Sequence, residues 1–257
     1  VDAHLARIDE VNPKVNAIVA VLADEARSSA DAADKSLASG GAIGPLHGVP
    51  YTVKMNIDVA GQATTQGIPA LAQSIPAIDA PTIERMKASG AVMLGRTNMP
   101  DLGLRVHTDS ALYGRTKNPW NLERGSSGSS AGSASATVAG LVPFAIGTET
   151  HGSIISPSHT CGATGLRPTF GSISRFGAMT LGWSLDKAGP ICRNTEDAAT
   201  VFAFLHGTDG RDASAVEAAF NYDASADPKK LRIAYAKNLF DRLDSTAQEW
   251  SVLKVLK

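Results

Sequence analysis

Residues 125–140 spell GSSGSSAGSASATVAG, and the apolar run PFAI follows at residues 143–146. A tract so rich in glycine and serine is typical of a flexible linker. A linker would not continue into core-like sequence without polar spacers, yet from Ser133 onward the small residues do so. We therefore predict a Ser/Gly loop that leads into a tightly packed helix, followed by a strand that ends at Gly147.

Helical and strand patterns alternate on both sides of this tract, which favours α/β layering. Helices are predicted at residues 2–10, 23–38, 82–89, 195–206 and 248–257, strands at residues 51–54, 91–94 and 231–235, and irregular structure from the turn around Ser153 to about residue 190. Asn194 is expected to cap the helix that follows it, because asparagine side chains accept hydrogen bonds from the first free N–H groups of a helix.

The composition excludes several classes of protein. The 257 residues are 43% hydrophobic and 19% charged, and the formal net charge is −1. The protein therefore has no strong positive electrostatic field that would attract nucleic acid or an acidic membrane. The apolar run at residues 17–23 is too short to span a bilayer, and no secretory leader precedes it. Cys161 and Cys192 lack C-x-x-C spacing and suit a reducing cytoplasm, and the histidines lack metal-binding spacing. We predict a cytoplasmic protein with no metal and no cofactor.

One motif in the Ser/Gly tract is set aside. Residues 128–132, GSSAG, match the G-x-S-x-G elbow of α/β-hydrolases, with Ser130 as the nucleophile. That elbow requires a hydrophobic strand immediately before the serine. Residues 118–124, NPWNLER, cannot form a buried strand, so the match is attributed to composition.

Three features remain: a lysine that ends an apolar strand, Lys54; the loop GSSAGS at residues 128–133; and the stretch GTETHGSI at residues 147–154. Further matching segments are PLHGVP (45–50), LGRTNM (94–99), CGATGLRPT (161–169) and DKAGP (186–190). Together they resemble the amidase signature family over about residues 2–212. The family places a second serine 24 positions after the first, which is the spacing from Ser129 to Ser153.

The resemblance implies an amide hydrolase in which Ser153 is the nucleophile, Ser129 a bridging serine after a cis peptide bond, and Lys54 the general base. A serine hydroxyl is a weak nucleophile until a neighbouring group takes its proton, so such a relay is chemically reasonable. The implied oxyanion hole consists of the backbone N–H groups of Thr150, His151, Gly152 and Ser153, and the implied supporting loop residues are Gly128, Ser130 and Ser133. His151 is not expected to be the base, because a nucleophile and its base are rarely such near neighbours in sequence.

Departures from the family pattern bear on the substrate. Met55 stands where the family often has aspartate, and His151 where it often has glycine. The arginine usually found just after the nucleophile is absent, and the sequence there is Ile154-Ile155-Ser156. Because a bidentate anchor for a substrate carboxylate is missing, we expect a neutral or apolar amide, anilide or carbamate.

The resemblance implies a mixed central β-sheet covered by helices and truncated at the C-terminus. We expect a single incomplete domain, with a signature core at about residues 45–212 and the start of a variable half at residues 213–257. The leading function is hydrolysis of C–N bonds other than peptide bonds through a serine acyl-enzyme. The alternatives are a glutaminase-type subunit of a tRNA-dependent amidotransferase and an inactive, truncated binding module. As partners we expect a small-molecule amide and, as one option, a second copy of the chain, with no direct contact to nucleic acid and no membrane span.

Overall fold

The structure is a computed structural model that describes residues 1–242 together with Ser251 and Lys254. The chain divides into two compact units, Val1–Phe220 and Asn221–Lys257. The first unit contains all of the residues that the sequence singles out for catalysis. In the described part of the second unit, a 3₁₀ turn at Pro228–Lys230 and a short helix, Lys237–Phe240, are present.

The helices of the described residues are α1 (Asp2–Val15), α2 (Ala23–Ala38), α3 (Pro81–Ala88), α4 (Ala131–Val138), α5 (Ile155–Cys161), α6 (Thr195–Leu205) and α7 (Lys237–Phe240). The strands are β1 (Ile18–Val21), β2 (Pro50–Lys54), β3 (Val92–Thr97), β4 (Asp109–Ser110), β5 (Gly114–Arg115), β6 (Lys117–Asn118), β7 (Asn121–Gly125), β8 (Phe144–Glu149), β9 (Thr164–Gly165) and β10 (Lys187–Cys192).

A mixed sheet with strand order β1-β3-β2-β8-β10-β9 forms the centre of the first unit. Strand β2 runs parallel to both of its neighbours, β3 and β8, whereas β1, β9 and β10 pair antiparallel. Strands β4 with β5 and β6 with β7 form separate two-stranded ribbons. The predicted α/β fold with a mixed central sheet is therefore confirmed.

The two faces of β2 have different environments. Tyr51 and Val53 belong to the larger apolar core, which also includes Ile83 of α3 and Phe202 of α6. Because successive side chains of a strand point to opposite faces, Lys54 lies on the other side from Val53. The small-residue helix α4 packs against β2, β3, β8 and β10.

Helix α4 is built from small residues because the sheet approaches it very closely. A Cβ atom at Gly132 would lie 2.4 Å from the backbone nitrogen of Asn98 and 2.5 Å from the carbonyl oxygen of Ala17. A Cβ atom at Gly147 on β8 would lie 2.9 Å from the Ser130 hydroxyl oxygen. The predicted loop and packed helix are confirmed, and the linker interpretation is excluded because α4 is buried along residues 131–137.

Most predicted elements are confirmed with shifted ends. Helix α1 continues past residue 10 to Val15, and Asn194 caps α6 by accepting the Asp197 N–H at 2.7 Å. The irregular structure predicted up to residue 190 is wrong, since α5, β9 and β10 lie there. The strand predicted at residues 231–235 is also wrong: those residues are exposed and irregular, and no strand of the described residues pairs with them. The predicted helix at residues 248–257 falls outside the described residues except for Ser251 and Lys254.

Candidate active site

Lys54 ends β2 and is fully buried. Its Nζ atom donates to the Ser129 Oγ atom at 2.6 Å and to the Thr148 Oγ1 atom at 2.8 Å. Burial lowers the pKa of the Lys54 amine from its ordinary value of 10.5 to about 7, while the carboxylates of Glu149 and Asp186 act in the opposite direction. A lysine with this pKa is about half neutral at pH 7 and can accept a proton.

Ser129 follows a cis peptide bond from Gly128, as the resemblance implies, and this expectation is confirmed. The next residue, Ser130, connects the Ser/Gly loop to Ser153: its N–H donates to the Ser153 carbonyl oxygen at 3.0 Å. The Ser130 hydroxyl donates to the Thr148 carbonyl oxygen at 3.1 Å. The structure therefore places the backbone of Ser153 directly beside the loop that carries Ser129.

Ser133 lies one turn into α4, away from this contact. Its hydroxyl shares a hydrogen bond of 2.7 Å with the Thr97 hydroxyl at the end of β3. Both residues are fully buried. Because an unpaired buried hydroxyl would be costly, this pair ties the helix to the sheet beside Lys54.

Ser153 is partly exposed, and its hydroxyl makes no hydrogen bond with the residues that the structure describes. Its side-chain role as a nucleophile stays a prediction. The neighbouring His151 side chain is exposed and likewise has no hydrogen-bond partner in residues 1–242. Of the three predicted catalytic residues, Lys54 and Ser129 are therefore joined by a side-chain hydrogen bond, and Ser153 is not.

The turn at residues 150–153 is organised by Glu149, a fully buried carboxylate. Glu149 accepts the N–H of Gly152, the N–H of Ile154 at 2.6 Å and the N–H of Ile155 at 3.1 Å. Arg167 approaches the same carboxylate at 3.6 Å. The carboxylate also accepts hydrogen bonds from N–H groups at the start of α5. This explains why a helix forms here although the local sequence has no helix-capping signal.

These contacts divide the predicted oxyanion-hole donors into two groups. The N–H of Gly152 is engaged by Glu149. The N–H groups of Thr150, His151 and Ser153 make no hydrogen bond within the described part of the chain. That any of these three N–H groups binds a substrate oxygen stays a prediction.

Sequence reasoning assigned no role to Glu149, Thr148 or Asp186, although all three lie inside quoted motifs. Thr148 accepts hydrogen bonds from Lys54 and from the Asn56 Nδ2 atom at 2.9 Å. The role of Glu149 could have been recognised from its position. It directly precedes a Gly-containing turn, where an acidic side chain can accept hydrogen bonds from free N–H groups. For Asp186, no local pattern indicates the contact, because its partner Thr150 is remote in sequence.

Metal-binding clusters and membrane-spanning helices are both absent from the part of the chain that the structure describes. Among these residues, no three His, Cys, Asp or Glu side chains come together in a way that could hold a metal ion. No helix in the same ranges is long and apolar enough to cross a membrane.

Comparisons with known proteins identify relatives. The Amidase family model matches residues 1–257. The chain is 37% identical over 244 residues to the A subunit of the glutamyl-tRNA(Gln) amidotransferase from Synechococcus sp. (strain CC9605), covering 94% of this chain and 50% of that protein. It is 42% identical over 242 residues to the protein of the same name from Roseiflexus castenholzii, a match that covers 93% of this chain and 49% of that protein. A solved bacterial aryl acylamidase of the amidase signature family superimposes with a TM-score of 0.80 at 31% identity, covering 85% of this chain and 46% of that one.

These relatives correct one expectation. The sequence predicted a small-molecule amide as the substrate partner, no direct nucleic-acid contact and at most a second copy of the chain. That prediction is wrong in light of the curated relatives, which are named as subunits of a glutamyl-tRNA(Gln) amidotransferase. The net charge of −1 gave no sign of such relatives.

The chain spans about half the length of the curated relatives it matches. Within that span, the family model covers every residue, and the relatives exceed one third identity. The chain therefore belongs to the amidase signature family.

Proposed function

We propose that this protein hydrolyses amide C–N bonds, with Ser153 as nucleophile, Ser129 as proton relay and Lys54 as general base. The observation that carries the proposal is the buried contact of 2.6 Å between Lys54 Nζ and Ser129 Oγ. A buried amine with a pKa of about 7 can take a proton near neutral pH, which an exposed lysine rarely does.

In the first step, Lys54 takes the proton of the Ser129 hydroxyl while Ser129 takes that of Ser153. The Ser153 oxygen then forms a bond to the amide carbon, and the carbonyl electron pair moves onto oxygen. The free N–H groups of the turn at residues 150–153 are suited to stabilise that negative charge. When the C–N bond breaks, the proton returns through Ser129 to the leaving nitrogen.

The second step releases the acyl group. Water attacks the ester carbon of the acyl–Ser153 intermediate and gives its proton to the same relay. The C–O bond to Ser153 breaks, and the serine oxygen recovers a proton from Ser129. The products are a carboxylic acid and an amine or ammonia, and Lys54 ends in the state in which it began.

We further propose that the amide is the side chain of glutamine and that the protein acts as the amidase component of a tRNA-dependent amidotransferase. In this role, it would release ammonia for a partner that holds the tRNA. The names of the curated relatives, at 37% and 42% identity, support this assignment.

A second candidate is hydrolysis of a neutral amide or anilide, and one observation favours it. Ile155, two residues after Ser153, leaves 45% of its surface exposed where a cation could have bound a substrate carboxylate. An apolar side chain at this place favours a substrate group without charge. The similarity to a solved aryl acylamidase supports the same candidate.

Two related assignments belong to the proposal. We propose a signature core at about residues 45–212, with residues 213–257 as the start of the variable half. A cytoplasmic location is supported by Cys161 and Cys192, which are buried free thiols.

The test is a substrate panel on the full-length gene product: glutamine with and without co-expressed partner subunits and glutamyl-tRNA, a primary amide, an anilide and a carbamate. The matched control is Ser153→Ala. Glutamine turnover that increases with partners and glutamyl-tRNA supports the amidotransferase role. Anilide turnover without glutamine turnover supports the second candidate. No turnover of any amide under these conditions contradicts the proposal and favours a binding module.

A further inference from the structure

Asp186 joins two segments that lie far apart in sequence. Its Oδ1 atom accepts the Thr150 hydroxyl at 2.6 Å. Its Oδ2 atom accepts the Leu181 N–H at 2.7 Å, and the Gly182 N–H donates to both carboxylate oxygens at 3.0 and 3.1 Å. One partly buried carboxylate therefore holds the turn at residues 150–153 against the loop at residues 181–185.

The loop at residues 181–185 packs directly on the candidate site. A Cβ atom at Gly182 would lie 3.2 Å from the Thr150 Cγ2 atom. A Cβ atom at Gly103 would lie 3.2 Å from the Leu181 Cδ1 atom and 3.5 Å from the Ser129 hydroxyl oxygen. The loop thus contacts Thr150 at Gly182 and Gly103 at Leu181, and Gly103 in turn neighbours Ser129.

The carboxylate also contributes charge. Asp186 and Glu149 are the acidic groups that raise the pKa of Lys54 against the larger effect of burial. Lys187 follows Asp186 and is a second buried lysine; burial lowers its pKa, and its amine donates to the Leu185 carbonyl oxygen. Two further cations, Arg167 and Arg175, act on Lys187; Arg167 lies 3.6 Å from Glu149, and Arg175 pairs with Asp212 at 3.2 Å.

We propose that Asp186 is a positioning residue that fixes the oxyanion turn through the Thr150 hydroxyl and supplies a negative charge to the environment of Lys54. The inference rests on the proposed function. Asp186 does not touch the reacting atoms: it acts on the substrate oxygen through the Thr150 backbone and on the base through its field. Both actions come from one carboxylate, so variants can separate them.

The experiment compares Asp186→Asn, Thr150→Val and the double variant in the full-length protein, by pH profiles of kcat and kcat/KM. Asp186→Asn replaces one carboxylate oxygen with an NH2 group, so the side chain cannot accept all of the hydrogen bonds from Thr150, Leu181 and Gly182, and kcat should fall about 10-fold or more with KM little changed. It also removes a negative charge that favours the protonated form of Lys54. The acid limb of the profile, which is the rise of kcat/KM with increasing pH, should therefore move to lower pH.

Thr150→Val keeps the charge of Asp186 and removes only the hydroxyl. We expect a loss in kcat of about 10-fold, with no movement of the acid limb to lower pH. The double variant should lose little more than the larger single loss, because both changes break one contact. Should Asp186→Asn fail to fold by circular dichroism, Thr150→Val and its pH profile still test the positioning role.

Lys187→Met is the matched control, since Lys187 is a buried lysine beside the same carboxylate. It should leave the acid limb in place. Unchanged kcat and an unmoved limb in Asp186→Asn, with Lys54→Ala inactive, would overturn the inference and leave the proposed function standing. Turnover that survives Lys54→Ala would overturn the proposed function itself, and the inference with it.

Discussion

The base side and the nucleophile side of the candidate site are built differently. Lys54, Ser129 and Ser130 are at most 1% exposed and are packed among the sheet and helix α4. The turn at residues 150–153 is partly exposed and is held by the carboxylates of Glu149 and Asp186. Burial therefore sets the pKa of Lys54, whereas charged hydrogen bonds set the geometry of the turn.

The largest effect is expected on the turn itself. Ser153→Ala removes the attacking oxygen, so kcat should fall on the order of 10⁴-fold or more, as when a catalytic serine is lost. An organophosphonate or sulfonyl fluoride probe should label Ser153, as located by peptide mapping. An adduct on Ser130 instead would revive the G-x-S-x-G elbow and contradict the relay.

A smaller effect should follow when the charge that holds the turn is removed. Glu149→Gln keeps the shape of the side chain but weakens its hydrogen bonds to three backbone N–H groups. We expect the free energy of unfolding to fall by about 2 kcal/mol and kcat to fall by about 10-fold. Urea unfolding and steady-state kinetics would measure these changes.

The control for that variant is Glu10→Gln, which removes a surface ion pair with Arg7 at 3.2 Å. Its side chain is 64% exposed, so stability should change by less than about 1 kcal/mol. Equal stability losses in Glu149→Gln and Glu10→Gln would show that the buried carboxylate does not organise the turn.

The smallest effect is expected on the base side, away from the relay. Ser133→Ala removes the hydroxyl that pairs with Thr97 at 2.7 Å. The free energy of unfolding should fall by about 1 kcal/mol, and kcat should change little, because the Ser133 hydroxyl bonds to Thr97 and not to Lys54 or Ser129. Loss of turnover in a folded Ser133→Ala protein would place Ser133 within the proton relay.

Much of the base side could be predicted from the sequence. The alternation of helix and strand patterns indicated the α/β fold, and the resemblance to the amidase signature family implied that Lys54 and the Ser/Gly loop belong to one site. Small residues at 131–137 signalled a packed helix because only such residues allow backbones to approach this closely. The helix and strand patterns and the small-residue tract are local, so a single sequence contains them.

The turn side could be predicted only in part. The contact of Asp186 with Thr150 spans 36 positions, and the hydrogen bonds of Glu149 depend on a buried carboxylate folding back onto its own turn. Helix α5 was missed because its N–H groups are satisfied from outside the helix. The strand prediction at residues 231–235 was wrong because a strand needs a partner to pair with, and no strand among the described residues pairs with this segment.

The central claim is that Lys54 is the base, and the pH dependence of kcat/KM tests it most directly. Only the neutral amine accepts a proton, so kcat/KM should rise roughly tenfold per pH unit below about pH 7 and level off above it. Lys54→Met should abolish this limb, and His151→Ala should keep it at the same pH. A limb that persists in Lys54→Met, or that disappears in His151→Ala, would contradict the account and assign the base to histidine or to another group.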